Sequence, residues 1–93
     1  MTFSFDIAEN LELKIKKLVK KDKKRADIVH RKIQEIINQD INSINHYKNL
    51  KHDFAVFKRV HIDKSFVLVF RVDEKKECIV FEDLDHHDNI YRR

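Results

Sequence analysis

Hydrophobic positions along this chain recur with two different periods. Phe3 and Phe5 alternate with polar neighbours from Thr2 to Asp6, which predicts a short strand with one face buried. From Ile7 the period lengthens, and Ile7, Leu11, Ile15, Leu18 and Val19 follow the stripe of an amphipathic helix. The opposite face holds Lys14, Lys16, Lys17, Lys20 and Lys21, and the charge continues through Lys23, Lys24 and Arg25. Ala26, Val29, Ile33, Ile36 and Ile37 form the stripe of a second helix, which fades at Asn38 to Asp40. So short a connection predicts an antiparallel helical hairpin.

The block from Ile41 to Asp53 is polar, rich in Asn and His, and reads as a loop with a short turn of helix. Three strands follow: Phe57 to Ile62, the almost wholly apolar Ser65 to Val72, and Cys78 to Leu84. Ile62 to Ser65 and Asp73 to Glu77 are the hairpin connections between them. The expected fold is α+β. An N-terminal short strand and an antiparallel helical hairpin pack on one face of a four-stranded, mainly antiparallel sheet, and the other face is open. Residues 1–93 form a single domain.

Strand parity says what the open face carries. If Val60 and Ile62 point to the helices, Arg59 and His61 point away. In the next strand Phe66, Leu68 and Phe70 face the helices, which leaves Val67, Val69 and Arg71 on the open side.

Charge and composition then narrow the function. The formal net charge is +4 and the pI about 9.2, which favours a polyanionic partner. Glycine and proline are both absent, which removes the P-loop, the dinucleotide fingerprint and any glycine-lined phosphate cradle. Turns must be made by Asp, Asn, Ser and Lys. Cys78 is the single cysteine, so an intrachain disulfide and a Cys-rich zinc site are excluded. No apolar run approaches the ~18 residues of a membrane helix and no signal peptide is recognisable, so a cytoplasmic location is expected. The lysine-rich face of the first helix reads first as a solvated face, and second as an anchor for RNA or for an acidic protein segment.

Chemistry concentrates near the C-terminus, in Asp85-His86-His87-Asp88-Asn89-Ile90-Tyr91 followed by Arg92 and Arg93. If the segment is extended, His86 and His87 point to opposite faces and only one joins the open surface. On residue type alone the two could be solvated histidines. Consecutive side chains diverge, so Asp85, His86, His87 and Asp88 make a poor metal site. The third reading is acid–base catalysis on RNA. RNA supplies its own nucleophile, the 2′-hydroxyl, and cleavage needs a base near it, an acid at the 5′-oxygen and cations around the phosphorane. His61, His87, Tyr91, Arg59 and Arg71 are the residue types for that work.

Three runs carry a further signal: Tyr47-Lys48-Asn49-Leu50, Phe57-Lys58-Arg59-Val60-His61-Ile62, and Phe66 to Val72. With the closing His87-Asp88-Asn89-Ile90-Tyr91, they resemble the RelE/ParE superfamily of toxin–antitoxin toxins, most nearly its YafQ-like ribosome-dependent mRNA endonucleases. The resemblance implies a toxin that enters the ribosomal A site, cuts translated mRNA and leaves a 2′,3′-cyclic phosphate. It needs no metal or organic cofactor and is neutralised by a cognate antitoxin. The toxin alone would be a monomer, and a hetero-oligomer with its antitoxin. His61 and His87 fall on histidines that the YafQ-like members use catalytically, and Tyr91 on the terminal aromatic. Arg59 would stabilise the scissile phosphate, and Lys58, Arg71, His86, Lys51 and Arg92 would contact RNA. Lys48 stands where the YafQ-like pattern has a third histidine, Ser65 where it has an aspartate, and Val67 where RelE proper carries a strand arginine. A ParE-like gyrase inhibitor, or a non-catalytic protein- or RNA-binding module of the same fold, is the alternative.

Overall fold

The computed structural model describes residues 3–50 and 56–91. The elements in chain order are β1 (Ser4–Ile7), α1 (Glu9–Lys21), α2 (Lys23–Ile37), α3 (Ile41–Ile44), β2 (Lys58–His61), β3 (Phe66–Asp73), β4 (Cys78–His86) and α4 (His87–Tyr91). The four strands lie in the order β1-β4-β3-β2. β1 runs parallel to β4, whereas β2–β3 and β3–β4 are antiparallel.

The helical stripes form the core. Leu11 and Ile15 of α1 are buried, as are Ala26, Val29, Ile33, Ile36 and Ile37 of α2. They pack on Ile62, Leu68, Phe70, Ile79, Phe81 and Leu84, the helix-facing side chains of the sheet. Val19 lies outside the stripe and is exposed. Asp22 alone separates the helices, and its carboxylate caps α2 by accepting the Arg25 N–H at 3.1 Å. β1 starts later than its alternation suggests: Phe3 is buried ahead of it, and Phe5 lies half-exposed with its ring edge against Phe81.

β1 covers only the first part of β4, ending where Ala8 N–H donates to Phe81 O (2.8 Å). Beyond that point α1 takes over the unpaired edge. Asn10 Nδ2 donates to Glu82 O (3.3 Å), and Lys14 Nζ, one helical turn later, to Leu84 O (3.2 Å). Residues four apart on a helix thus satisfy carbonyls two apart on a strand. Lys14 also pairs with the buried Asp83 at 2.7 Å, so it does not belong to the solvated lysine face.

β4 carries a bulge. Val69 pairs with Asp83 but Phe70 with Phe81, which leaves Glu82 as the extra residue. The extra residue explains how Phe81 and Leu84, three apart, both face the helices.

The second sheet face is not open along its whole length, as parity alone suggested. Val67 and Val69 are buried beneath Leu50 and Ile90, with Phe57 packed at the side. Two aliphatic side chains facing water would forfeit about 1.5–3 kcal/mol each, and a lid of three apolar residues recovers much of that. This small second core seats α4.

Candidate active site

β4 ends at His86, and the chain turns at once into a five-residue helix, α4, where the sequence pattern suggested continued extension. Residues i and i+4 of a helix share one face, so His87 and Tyr91 are brought together, with ring centroids 4.5 Å apart. Ile90, on the neighbouring face, is driven into the second core and fixes the rotation of the helix. The Asp85 carboxylate braces the start of the turn, accepting the His86 N–H (2.7 Å) and the Asn89 side-chain amide (3.0 Å). Partial burial would raise the Asp85 carboxyl, but the Asn89 and His86 hydrogen bonds and the Lys14 charge outweigh it and nearby Asp83, holding it below the usual carboxylate range.

His61 closes β2 and faces this turn. Its imidazole stacks on that of His87 with centroids 5.7 Å apart and planes 30° from parallel, a separation typical of offset rings. The guanidinium of Arg59, two residues earlier on the same face of β2, lies 5.1 Å from the centre of the Tyr91 ring. Arg59, Tyr91, His87 and His61 therefore form one continuous file of contacts. His61 and Tyr91 are exposed to solvent, His87 and Arg59 partly so. The His87 ring nitrogen Nδ1 lies 3.4 Å from Asp88 Oδ1.

This file can exchange protons and hold an anion. Two imidazoles supply a proton acceptor and a donor within one reach, and the guanidinium adds a permanent positive charge beside them. Among the described residues no three His, Cys, Asp or Glu side chains are grouped to hold a metal ion.

The chain is 47% identical over 91 residues to the candidate toxin RelE4 of Methanocaldococcus jannaschii, covering 98% of this chain and 93% of that one. The chain belongs to the RelE/ParE superfamily of toxins. A protein of Methanosarcina mazei is also 47% identical, over 85 residues that span 91% of this chain and 94% of its own length. No family model matches. Among solved structures, the RelBE2 toxin–antitoxin complex of Mycobacterium tuberculosis gives a TM-score of 0.74 at 14% identity, covering 94% and 93% of the two chains. YafQ of E. coli gives 0.72 at 13% identity, covering 96% and 98%. At such identities the likeness is one of fold, and it includes the mixed sheet and the helical hairpin.

In this RelE-superfamily toxin the other expected RNA contacts are scattered. Lys58 must be corrected: it is buried, with Nζ donating to Tyr47 O (3.3 Å) and Asn49 Oδ1 (3.2 Å). It shares the parity of Val60 and Ile62 and so points into the helical side, where its ammonium ties down the chain before β2. His86 is exposed but stands apart from the file. It lies edge-on to Phe66 at 5.8 Å, away from the His61–His87 stack, and its Nδ1 accepts the Asp88 N–H at 3.2 Å. Arg71 shares the sheet face of Arg59 but is bound to Glu82 at 2.8 Å. It stands roughly 13 Å along β3 from the row of His61, four residues at about 3.3 Å each. Lys51 and Arg92 lie outside the described residues.

Pattern reading passed over three structural supports. Asp85 with Asn89 braces α4, Ser65 O accepts the His87 N–H at 2.7 Å, and Arg25 holds Asp63 at 2.8 Å. The available signals were the i, i+4 spacing of Asp85 and Asn89, and an Asp two residues before Ser65 in a turn without glycine.

Proposed function

We propose that this protein is the toxin of a type II toxin–antitoxin system, a ribosome-dependent endoribonuclease that cuts translated mRNA. The observation that carries this reading is the His61–His87 stack, 5.7 Å between centroids, flanked by Tyr91 and Arg59. Two imidazoles from distant parts of a chain have no structural need to face one another on an exposed surface.

The chemistry follows from the donor set. One neutral imidazole takes the proton of the RNA 2′-hydroxyl as that oxygen attacks the adjacent phosphorus. The bond from phosphorus to the 5′-oxygen breaks, and the other imidazole, protonated beforehand, gives its proton to that oxygen. A 2′,3′-cyclic phosphate and a free 5′-hydroxyl result. The proton count of the pair is unchanged, and because both rings meet solvent, water can return each to its starting form. Arg59 stabilises the charge of the phosphorane, and Tyr91, seated between Arg59 and His87, orients the nucleotide. Imidazoles complete both proton transfers, so the scheme asks for no metal.

The partners of this reading are the ribosome with mRNA in its A site and a cognate antitoxin. The RelBE2 and DinJ–YafQ structures, toxin–antitoxin complexes whose toxin chains this protein covers almost end to end, support the antitoxin. Work on ribosomes implies a cytoplasmic protein, and among the described residues no helix is long and apolar enough to cross a membrane.

Expression without antitoxin is expected to arrest growth and to produce primer-extension stops inside translated frames, and His87→Ala is expected to remove both. Arrest with intact mRNA and induced DNA-damage signalling would instead point to a gyrase inhibitor. Undiminished cleavage by the His87→Ala protein would contradict the catalytic assignment.

A further inference from the structure

The two imidazoles hang from a single turn. β2 and β3 are joined by Ile62, Asp63, Lys64 and Ser65, and the turn is closed by Ile62 N–H donating to Phe66 O at 2.9 Å. His61 enters this turn as the last residue of β2. His87 is tied to it from the far end of the chain, because its N–H, the first of α4, donates to Ser65 O at 2.7 Å. The relative position of the two rings therefore depends on how firmly the turn itself is held.

Glycine would be the usual way to shape so tight a connection, and the chain has none. A carboxylate does the shaping. Asp63 Oδ1 accepts the N–H groups of Ser65 (2.8 Å) and Phe66 (3.3 Å). Its other oxygen, Oδ2, accepts from Arg25 Nε at 2.8 Å. Arg25 belongs to the first turn of the fifteen-residue α2, beside the fully buried Ala26 and Val29, so its backbone is anchored in the core. Its guanidinium also reaches Asp22 at 3.2 Å and lies 4.3 Å from the centre of the Phe66 ring. Three separate contacts hold one planar group, and the Arg25 and Asp63 side chains are each only 28% exposed. With both oxygens occupied, Asp63 is not placed to act as a proton donor or acceptor in the reaction.

We propose that Arg25 and Asp63 are positioning residues: through the Ser65 carbonyl they set the register of His87 against His61. The consequence for activity rests on the acid–base reading of the two histidines, whereas the consequence for geometry does not. Neither residue belongs to the runs that carry the family resemblance, and Arg25 reads in sequence as one more cation of a basic helix. Loss of the clamp lets α4 drift, and a displacement of about 1 Å at reacting groups can cost about 100-fold in rate.

The experiment uses the full chain and three readouts on Asp63→Asn, Arg25→Gln, Arg25→Lys and the double variant Arg25→Gln/Asp63→Asn. These are hydrogen exchange at the His87 amide, nuclear Overhauser contacts between the His61 and His87 rings, and cleavage of mRNA on programmed ribosomes. Expected for Asp63→Asn and Arg25→Gln are faster exchange at His87, loss of the ring contacts, and a fall of about 100-fold in kcat with KM little changed. The double variant should be no worse than Asp63→Asn alone, and Arg25→Lys, which keeps the charge but not the planar contacts, should fall between. If Asp63→Asn does not fold, Arg25→Lys decides the matter through its His87 exchange rate and ring contacts. Retained exchange protection and ring contacts in the single variants, or activity lost only in proportion to an unfolded fraction, would overturn the proposal. A wild-type protein that cleaves no mRNA would sink the nuclease reading instead, and exchange and ring contacts would still judge the clamp.

Discussion

The two hairpin turns of this molecule begin alike and end differently. Both open with an aspartate whose side chain caps the turn: Asp63 Oδ1 binds the Ser65 N–H at 2.8 Å, and Asp73 Oδ1 the Lys76 N–H at 3.2 Å. There the likeness stops. The Asp63 turn is fastened to α2 through Arg25 and receives the His87 N–H, whereas the Asp73 turn lies exposed and leaves its strain in the backbone. Glu77 closes it with φ at 49°, the only positive value among the described non-glycine residues. In a chain without glycine, the turn beside the site is shaped by side-chain bonds, and the remote one tolerates a left-handed residue. The side-chain bonds are concentrated where the two histidines meet.

This contrast can be broken or sharpened experimentally. The largest expected effect is on activity. Asp63→Asn should slow mRNA cleavage by about 100-fold while Asp73→Asn leaves the rate near that of wild type, measured side by side on programmed ribosomes. Equal effects would remove the distinction between the turns.

A smaller effect should appear in acid. Burial would raise the Asp63 carboxyl, but the Ser65 and Phe66 N–H groups and Arg25 outweigh it and hold the group below its ordinary 3.8. A lowered folded-state pKa gives stability that is fully present above the unfolded value and is lost as pH falls through the folded one. The stability gap between wild type and Asp63→Asn in urea titrations should therefore be largest at neutral pH and close below pH 3.8. A gap that stayed constant to pH 3 would show that the charge of Asp63 is not what holds the turn.

The smallest effect belongs to the remote turn. A left-handed residue other than glycine costs about 1–2 kcal/mol, part of which a glycine returns through its greater freedom in the unfolded chain. Glu77→Gly should raise stability by roughly 0.5–1 kcal/mol, a few degrees in Tm, and leave cleavage unchanged. A fall in Tm would mean that the Glu77 side chain contributes more than its backbone strain removes.

Much of the fold was legible because each element carries its own period. The stripes of α1 and α2 and the parity of β2 place Val29, Ile33, Val60 and Ile62 against the core, and they leave Arg59 and His61 on the far face. Illegible features depend on what a residue meets in space. The extra residue Glu82 in β4 has no composition signal, and it shifts the parity of every residue after it. Conversion of His87 to Tyr91 into helix depends on Ile90 finding Val67 and Val69, a contact no local pattern announces. Lys58 is a different case. Its parity with Val60 points inward whereas its charge favours solvent, and the Tyr47 carbonyl and Asn49 side chain, which receive the ammonium, decide for the interior. For the candidate site, residue type and strand parity were enough to nominate His61, His87, Arg59 and Tyr91. The clamp beneath them was not visible, because Arg25 and Asp63 are 38 residues apart.

The central claim is that His61 and His87 work as one proton-transferring unit. The most direct measurement is single-turnover cleavage of mRNA on programmed ribosomes by wild type, His61→Ala, His87→Ala and the double variant. The account predicts single losses of about 10²–10⁴-fold and a double variant little worse than the poorer single one, because either ring alone leaves a proton transfer unserved. Wild-type rates in both single variants would contradict it, and so would independent losses that simply multiply in the double variant.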